Sequence, residues 1–471
     1  MTKSFVGRVN YDYKSKYLVE FSFRDDANSK NSPLKRWGFF PGASAGWRIS
    51  QEEFWKNAKA LSFIDDLKIR LSYAKLGDDD KLDAYQYLTG YNYPAGGDNN
   101  KVPPGSVFDG TFVNGAQSRG IANPYIFWFV AKTYNAGIDL QAWNGLLGLT
   151  VDAFRRDRSG LLDTRADNLP GVVGAGLPQE NLNSDRAQGF DIEINHRYHI
   201  GSFNYFVKGT FGYTRTQWIS KVHSAYGNSQ LNWHNNNDNR YNNIFWGFGA
   251  DGQFQNYQQI LNSPQFVSRN AVVGDYILQD WNGDGVINDQ DVHPIAQNVS
   301  NNNYSVPSTT FGLTLGGSYK GFDINTVWQG AAGINVSYIE QLNIPLWGGG
   351  SALSMFMDRY HPTDPKADPY NPNTVWTPGT FALTGTTANT NSLSNIHSAA
   401  YVRLKSAEIG YSIPAGAAKK AGIKGARIFM NGYNILTITG LKYLDPEHPS
   451  ANYGYLYPLN KVYSIGVNVK L

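Results

Sequence analysis

The sequence predicts an all-β chain, an antiparallel transmembrane β-barrel meander of about 13 long strands with long outer loops. Three observations predict it. Charged residues make up 17% of the 471 positions, against about 25% in ordinary soluble domains, while 49 glycines, 30 tyrosines, 25 phenylalanines and 12 tryptophans favour strands, turns and aromatic surface. Apolar and polar residues alternate with period 2 over runs much longer than the usual strand of about 5 to 6 residues. Short and long connections follow one another in turn, as they do where strands cross a bilayer and all the long loops lie on one side.

The strands follow in order. The first two, near 3–13 and 15–25, are joined by the turn "DYKSK". A third spans 37–49 and leads through "SQEEFWKNAKALSFID", which reads as helical turns, to a fourth at 66–77. After a long segment a fifth strand, 126–141, turns at "WNGL" into a sixth, 145–157, where Leu147, Leu149, Val151 and Ala153 alternate with Gly148, Thr150 and Asp152. The seventh, 187–199, sets Phe190, Ile192 and Ile194 against Asp191, Glu193 and Asn195, and "HIGS" returns the chain into the eighth, 202–218. The ninth and tenth, 305–319 and 321–335, meet at "YKGF"; Phe311, Leu313 and Leu315 form the apolar row of the former. The eleventh, 398–413, is linked by a helical "AGAAKKAGIK" to the twelfth, 424–436, and a thirteenth closes the chain at 460–471. The polar rows are rich in Gly, Ser, Thr, Asn and Asp with some Arg and Lys, as in a water-filled lumen; the competing fold is a β-sandwich or solenoid with half-buried strands.

Several function classes drop out. With no cysteine there is neither a disulfide nor a thiolate metal site, and a net charge of +3 offers no basic patch for nucleic acid. No run of about 18 apolar residues can form a spanning helix, and "MTKSFVGRVNYDY" lacks the apolar segment of an export signal.

Five stretches carry a family resemblance: "YLVEFSFRDD" (17–26), "RWGFFPGASAGWRIS" (36–50), "DWNGDGVINDQD" (280–291), "PSTTFGLTLGGSYKGFDINTVWQGAAG" (307–333) and "YVRLKSAEIGYSIP" (401–414). In this order they resemble the C-terminal half of SusC/RagA-type TonB-dependent outer-membrane transporters. The resemblance implies a barrel of about 22 strands with a plugged lumen, so that residues 1–471 are the C-terminal part of the barrel, with the plug domain, TonB box and about nine N-terminal strands lying outside them. It also implies an outer-membrane location in contact with lipid, a SusD-like surface lipoprotein as partner, and TonB as energy source. The chain departs from the family in ending on Leu471, where an aromatic residue is usual.

The stretch 280–291 has its own chemistry. Counted from Asp280, oxygen donors fall on alternate positions at Asp280, Asn282, Asp284, the carbonyl of Val286 and Asn288, with Gly285 at the sharp turn and Asp291 closing the loop. This is the spacing of a calcium loop, with Asp in place of the closing Glu. No amphipathic helices flank it, so a structural Ca2+ in an outer loop is expected rather than a sensor. In the long loops Trp233, Tyr241 and Trp246 stand among asparagines, a mixture of flat aromatic faces and carboxamides that suits a sugar or peptide. His196 and His199 point to opposite faces of a strand and cannot share a metal. "GVVGAG" (171–176) lacks the setting of a phosphate loop, and acidic pairs such as Asp65 and Asp66 do not single out a glycosidase acid and nucleophile. No catalytic set emerges. The expectation is TonB-dependent import of an oligosaccharide or peptide, not an enzyme; a secreted β-rich glycan-binding module is the alternative, and a carbohydrate-active enzyme the third.

Overall fold

The computed structural model describes residues 1–79, 82–92, 105–118, 120–165, 170, 172, 176–266, 271–300, 306–383, 391–447 and 459–471. Of "GVVGAG", only Val172 and Gly176 fall within them. Thirteen strands pair in chain order in one sheet: β1 (Thr2–Tyr13), β2 (Tyr17–Asn28), β3 (Trp37–Arg48), β4 (Ile64–Asp78), β5 (Phe129–Ala142), β6 (Leu147–Thr164), β7 (Gln179–Ile200), β8 (Phe203–Ser220), β9 (Thr309–Tyr319), β10 (Phe322–Ala332), β11 (Tyr401–Ser412), β12 (Gly425–Thr439) and β13 (Val462–Lys470). β1 and β13 are the two edges of this sheet. The expected count and order hold. The expected helical connectors are present as a helical turn at Glu53–Lys56 and a short helix at Ala415–Lys420.

Two strands exceed the sequence reading. β6 continues to Thr164 and β7 begins at Gln179, so much of the expected loop 158–186 is a hairpin extension. Its residues, "RSGLLDT" and "QENLNSDR", are mostly polar, and Leu161, Leu162 and Leu182 keep no common parity, so the period-2 signal vanishes there.

The chain divides into two compact units. The first holds Met1–Asn144, Thr150–Phe190 and Arg215–Asn242. Its register runs Phe21 opposite Ala43, Ala43 opposite Tyr73 and Tyr73 opposite Tyr134. Period 2 then puts Val19, Phe21, Phe39, Leu71, Tyr134 and Ile138 on one face, and all six are exposed. Aromatic rings gather at the ends of these strands: Tyr13 on Tyr17 and Phe63 on Trp143 at the turn end, Phe5 on Trp37 and Phe23 beside Phe39 at the other. From Phe39 to Trp47 along β3 is eight residues. At about 3.3 Å each and a tilt of about 40°, that spans about 20 Å, close to the height of about 25 Å expected for an apolar band between aromatic girdles.

The second unit holds Gly145–Leu149, Asp191–Thr214 and Asn243–Leu471. Ile194, Leu313, Leu315, Ile324, Ile409, Met430, Ile465 and Val467 are likewise exposed on its strands. The β9–β10 hairpin closes on Lys320 and Gly321 at φ +47° and +93°, the two positive values of a type I′ turn. A Cβ on Gly321 would also sit 3.0 Å from the Ser412 carbonyl oxygen. What is buried lies mostly in the long connections. One cluster joins Ile334, Val336, Tyr338, Leu342, Met355, Phe356, Ala399 and Leu441; a second joins Phe254, Ile260, Val273 and Tyr360; a third joins Phe248, Leu278 and Ile287. A sheet whose large apolar side chains are exposed, with the buried clusters in the loops, is the reverse of a water-soluble sandwich.

Candidate functional site

The face of the sheet opposite the apolar side chains is lined by paired charges. In the first unit Arg70 lies across three strands, its Nε 2.7 Å from Asp139 and its Nη2 2.9 Å from Asp152, with Thr150 donating to Asp139. Arg8 reaches Glu20 at 2.6 Å. In the second unit Lys208 meets Glu193 at 3.0 Å, and Arg427 bridges Glu408, at 2.7 Å, and Asp323. Each pair stays partly exposed, the state of charges lining water rather than hydrocarbon. The two strand histidines have ordinary partners, His196 at the Tyr205 hydroxyl (2.9 Å) and His199 stacked on Tyr198.

The loops of the second unit enclose a hollow of about 670 Å³ whose wall includes Tyr276, Tyr338, Met355, Asp358, His397 and Lys442. Tyr338 packs against His397 with ring centroids 3.9 Å apart and planes tilted by 38°, and donates its hydroxyl to the Lys442 carbonyl. Burial pushes its phenol up to about 12 and lowers the His397 imidazole below its ordinary value, so both rings are neutral near pH 7. Thr380 donates to the Asp358 carboxylate at 2.6 Å. Neutral aromatic walls with a few hydroxyl, carboxylate and amine groups form a surface for a polar, largely uncharged ligand, and the volume falls within the usual range of about 300 to 1,000 Å³. Sequence reasoning missed this site because its residues come from several separate loops with no common spacing.

The 280–291 loop is built on its own carboxylates. Asp280 Oδ1 accepts the N–H of Gly283 (2.8 Å) and of Asp284 (3.2 Å), and Oδ2 that of Gly285 (2.8 Å). Asn282 Oδ1 accepts from Asp284 N at 2.9 Å, and Asp284 Oδ1 from Val286 N at 2.8 Å. Gly283 and Gly285 take φ +75° and +85°, which leaves room for these tight turns. Asn288 caps the 3-10 turn Asp289–Asp291. Asp291 is fully buried; its carboxylate accepts the N–H groups of Trp281, Asn282 and Asn288 at 2.8, 3.2 and 2.8 Å, so it ties the loop's ends together. Among the described residues no three carboxylate or imidazole groups converge as a cage. Asp280, Asn282 and Asp284 nevertheless share one turn, and a carboxylate oxygen that accepts a single N–H bond, as Asp280 Oδ2 does, still has a lone pair to offer.

The three aromatics picked out from the sequence are placed separately. Trp233, on the helix Ser229–Asn235, lies under the Arg240 guanidinium at 5.7 Å and gives its carbonyl to the same arginine. Tyr241 lies 3.5 Å beneath the Arg215 guanidinium. Both belong to the first unit, whereas Trp246 belongs to the second, on a short strand opposite Pro294. The first two side chains thus already lie against arginines, Arg240 of the same loop and Arg215 of β8.

A family profile described as "TonB dependent receptor-like, beta-barrel" matches residues 2–259. The chain is 24% identical to TonB-dependent receptor P3 of Formosa agariphila, over 99% of this chain and 45% of that protein. It is 25% identical to TonB-dependent receptor SusC of Bacteroides thetaiotaomicron, over 99% and 43%. Among solved structures, the RagAB peptide importer in its open-open state aligns with a TM-score of 0.71 at 19% identity, over 100% of this chain and 47% of that one. The chain spans less than half the length of these relatives.

Proposed function

The chain belongs to the TonB dependent receptor-like β-barrel family, and from that premise we propose that the protein it forms part of imports an oligosaccharide or peptide across the outer membrane. The relatives named above are TonB-dependent receptors, not enzymes. One observation carries the reading: long strands expose their apolar rows outward between aromatic girdles and pair charges on the opposite face, as a lipid-facing wall around water would. Among the described residues no helix is long and apolar enough to cross a membrane, so crossing falls to strands.

In this reading residues 1–471 are the C-terminal part of the barrel, and the plug and remaining strands belong to the rest of the protein. A SusD-like surface lipoprotein caps the loops and TonB supplies energy. The hollow lined by Tyr338 and His397 contacts the cargo, with Trp233, Tyr241 and Trp246 as further contacts. The 280–291 loop holds a structural Ca2+ through Asp280, Asn282, Asp284 and the Val286 carbonyl, with Asn288 and Asp291 shaping the loop. RagAB is a peptide importer by its printed description, which gives peptide a place beside oligosaccharide.

The test is uptake. Cells carrying the whole protein should accumulate a labelled oligosaccharide or peptide, lose that ability without TonB, and contain the protein in outer-membrane fractions. Secretion into the medium in soluble form would overturn the reading in favour of a glycan-binding module.

A further inference from the structure

We propose that the outward face of the first unit binds one phosphorylated membrane lipid, with an acyl chain in a hollow over β2–β6 and its phosphate against Arg155 and Arg186. The proposal rests on the outer-membrane reading above.

The hollow has a volume of about 690 Å³. It arises from register. Ala45 lies opposite Leu71, which lies opposite Ala136; one step along, Ala43 lies opposite Tyr73, which lies opposite Tyr134. Alanines therefore form the floor while Leu71, Tyr73 and Tyr134 rise as walls. Elsewhere on the same face Phe21, Phe39 and Ile138 stand out.

One end of the hollow is charged. Arg155, which also lines it, continues the outward row of Val151 and Ala153, and Arg186 continues the row of Phe190. Arg155 Nη2 lies 2.8 Å from Asp157, and Arg186 Nε lies 2.7 Å from the same carboxylate. Two guanidiniums share one carboxylate, so the cluster keeps a surplus positive charge on a face that otherwise meets lipid. Arg155 stands eight residues along β6 from Leu147, about 20 Å toward the outer side at the usual rise and tilt, near the upper limit of an apolar band of about 25 Å. A cation there is costly against acyl chains but matches the level of headgroups, which its aliphatic stem can reach. A phosphate is the group that answers both observations: it neutralises the surplus charge in the bidentate geometry that arginine favours, and it brings an acyl chain to fill the trough.

The test uses the intact transporter, extracted from outer membranes in mild detergent, delipidated, and titrated by native mass spectrometry with dioleoyl phosphatidic acid and with dioleoylglycerol, which differ only in the phosphate. The expected result is one phosphatidic acid per chain, bound about tenfold more tightly than the diacylglycerol, since a charge-assisted contact is worth about that factor. Arg155→Gln with Arg186→Gln should abolish the preference, Arg155→Lys should keep most of it, and Ala136→Trp should weaken both lipids by filling the trough. Equal affinity of the unaltered protein for the two lipids overturns the proposal, because the three charged residues then satisfy only one another. So does unchanged binding in both the arginine double variant and Ala136→Trp. A protein absent from outer membranes overturns the import reading together with this one, whereas an outer-membrane protein without phosphate preference overturns this one alone.

Discussion

The Arg403 guanidinium lies 2.7 Å from the Asp445 carboxylate with only 2% of its side chain exposed. A second fork reaches Glu447 at 2.6 Å, and Nε donates to Thr437 on the neighbouring strand. The pair fastens the long connection after β12 to the outer end of β11. Although burial pushes the Asp445 carboxyl up, the Glu447 N–H and the Arg403 charge hold it below the usual carboxylate range. Arg403→Ala leaves the Asp445 carboxylate without its cation, while Glu447 keeps Lys405 at 2.9 Å, and breaking a buried pair costs about 3 to 5 kcal/mol. Proteolysis of the intact protein in outer membranes should then cut within residues 440–461. Arg403→Lys should not rescue, having no planar fork. An unchanged cleavage pattern in Arg403→Ala would show that the tether contributes nothing.

The loop at 280–291 should bind calcium in the range of extracellular modules, about 10⁻⁴ to 10⁻³ M. Asp280→Asn combined with Asp284→Asn should abolish the heat of binding in isothermal titration of the intact protein. Gly285→Val should weaken it too, by forcing a branched side chain to φ +85°. No divalent binding up to millimolar concentration would end the calcium reading and leave a loop held by Asx turns alone.

Burial lowers the His397 imidazole below its ordinary value. Its folded pKa is thus below its unfolded one, so the stability it contributes is complete above about pH 6.5 and lost as pH falls through the lower, folded value. Protonation would place a half-buried cation against the Tyr338 ring, its centroid 3.9 Å away. Amide exchange at 335–337 and 396–398 should therefore quicken on acidification below pH 6.5, and His397→Phe should flatten the response. Faster exchange on raising the pH above 7, after correction for intrinsic rates, would contradict this sign.

The strands were legible because a wall between lipid and water forces strict alternation; Ile192 beside Glu193 needs no other cue. The extension of β6 and β7 escaped notice because the constraint that writes the pattern ends where the bilayer ends. Asp291 stands at the closing position of a calcium loop by spacing, whereas its burial and its three N–H partners follow from contacts across the loop that spacing does not encode. The hollow around Tyr338 and His397 needed the folded loops, since residues 276, 338, 358, 397 and 442 share no local pattern. Trp233 and Tyr241 are conspicuous by composition, but the arginines that lie over them, Arg240 and Arg215, are brought there by the fold.

Neighbouring residues on β7 give the sharpest check on which face meets lipid. Ile194 is 45% exposed on the apolar row, while Asn195 points the other way and donates to Glu193 Oε1 at 3.2 Å. Six residues separate Ile194 from the end of the strand at Ile200, which places it about 15 Å in, near the middle of an apolar band of about 25 Å. Arginine at such a depth costs about 2 to 4 kcal/mol on the lipid face and almost nothing in a hydrated lumen. Ile194→Arg should therefore lower the folded fraction of the intact protein, read as the heat-modifiable band after refolding into vesicles, while Asn195→Arg, with Glu193 at hand to pair with it, should leave that band unchanged. In a water-soluble protein an isoleucine this exposed would accept arginine without loss, since both states would be hydrated. Equal tolerance at the two positions would mean that water, not hydrocarbon, covers Ile194, and the barrel reading would fall with it.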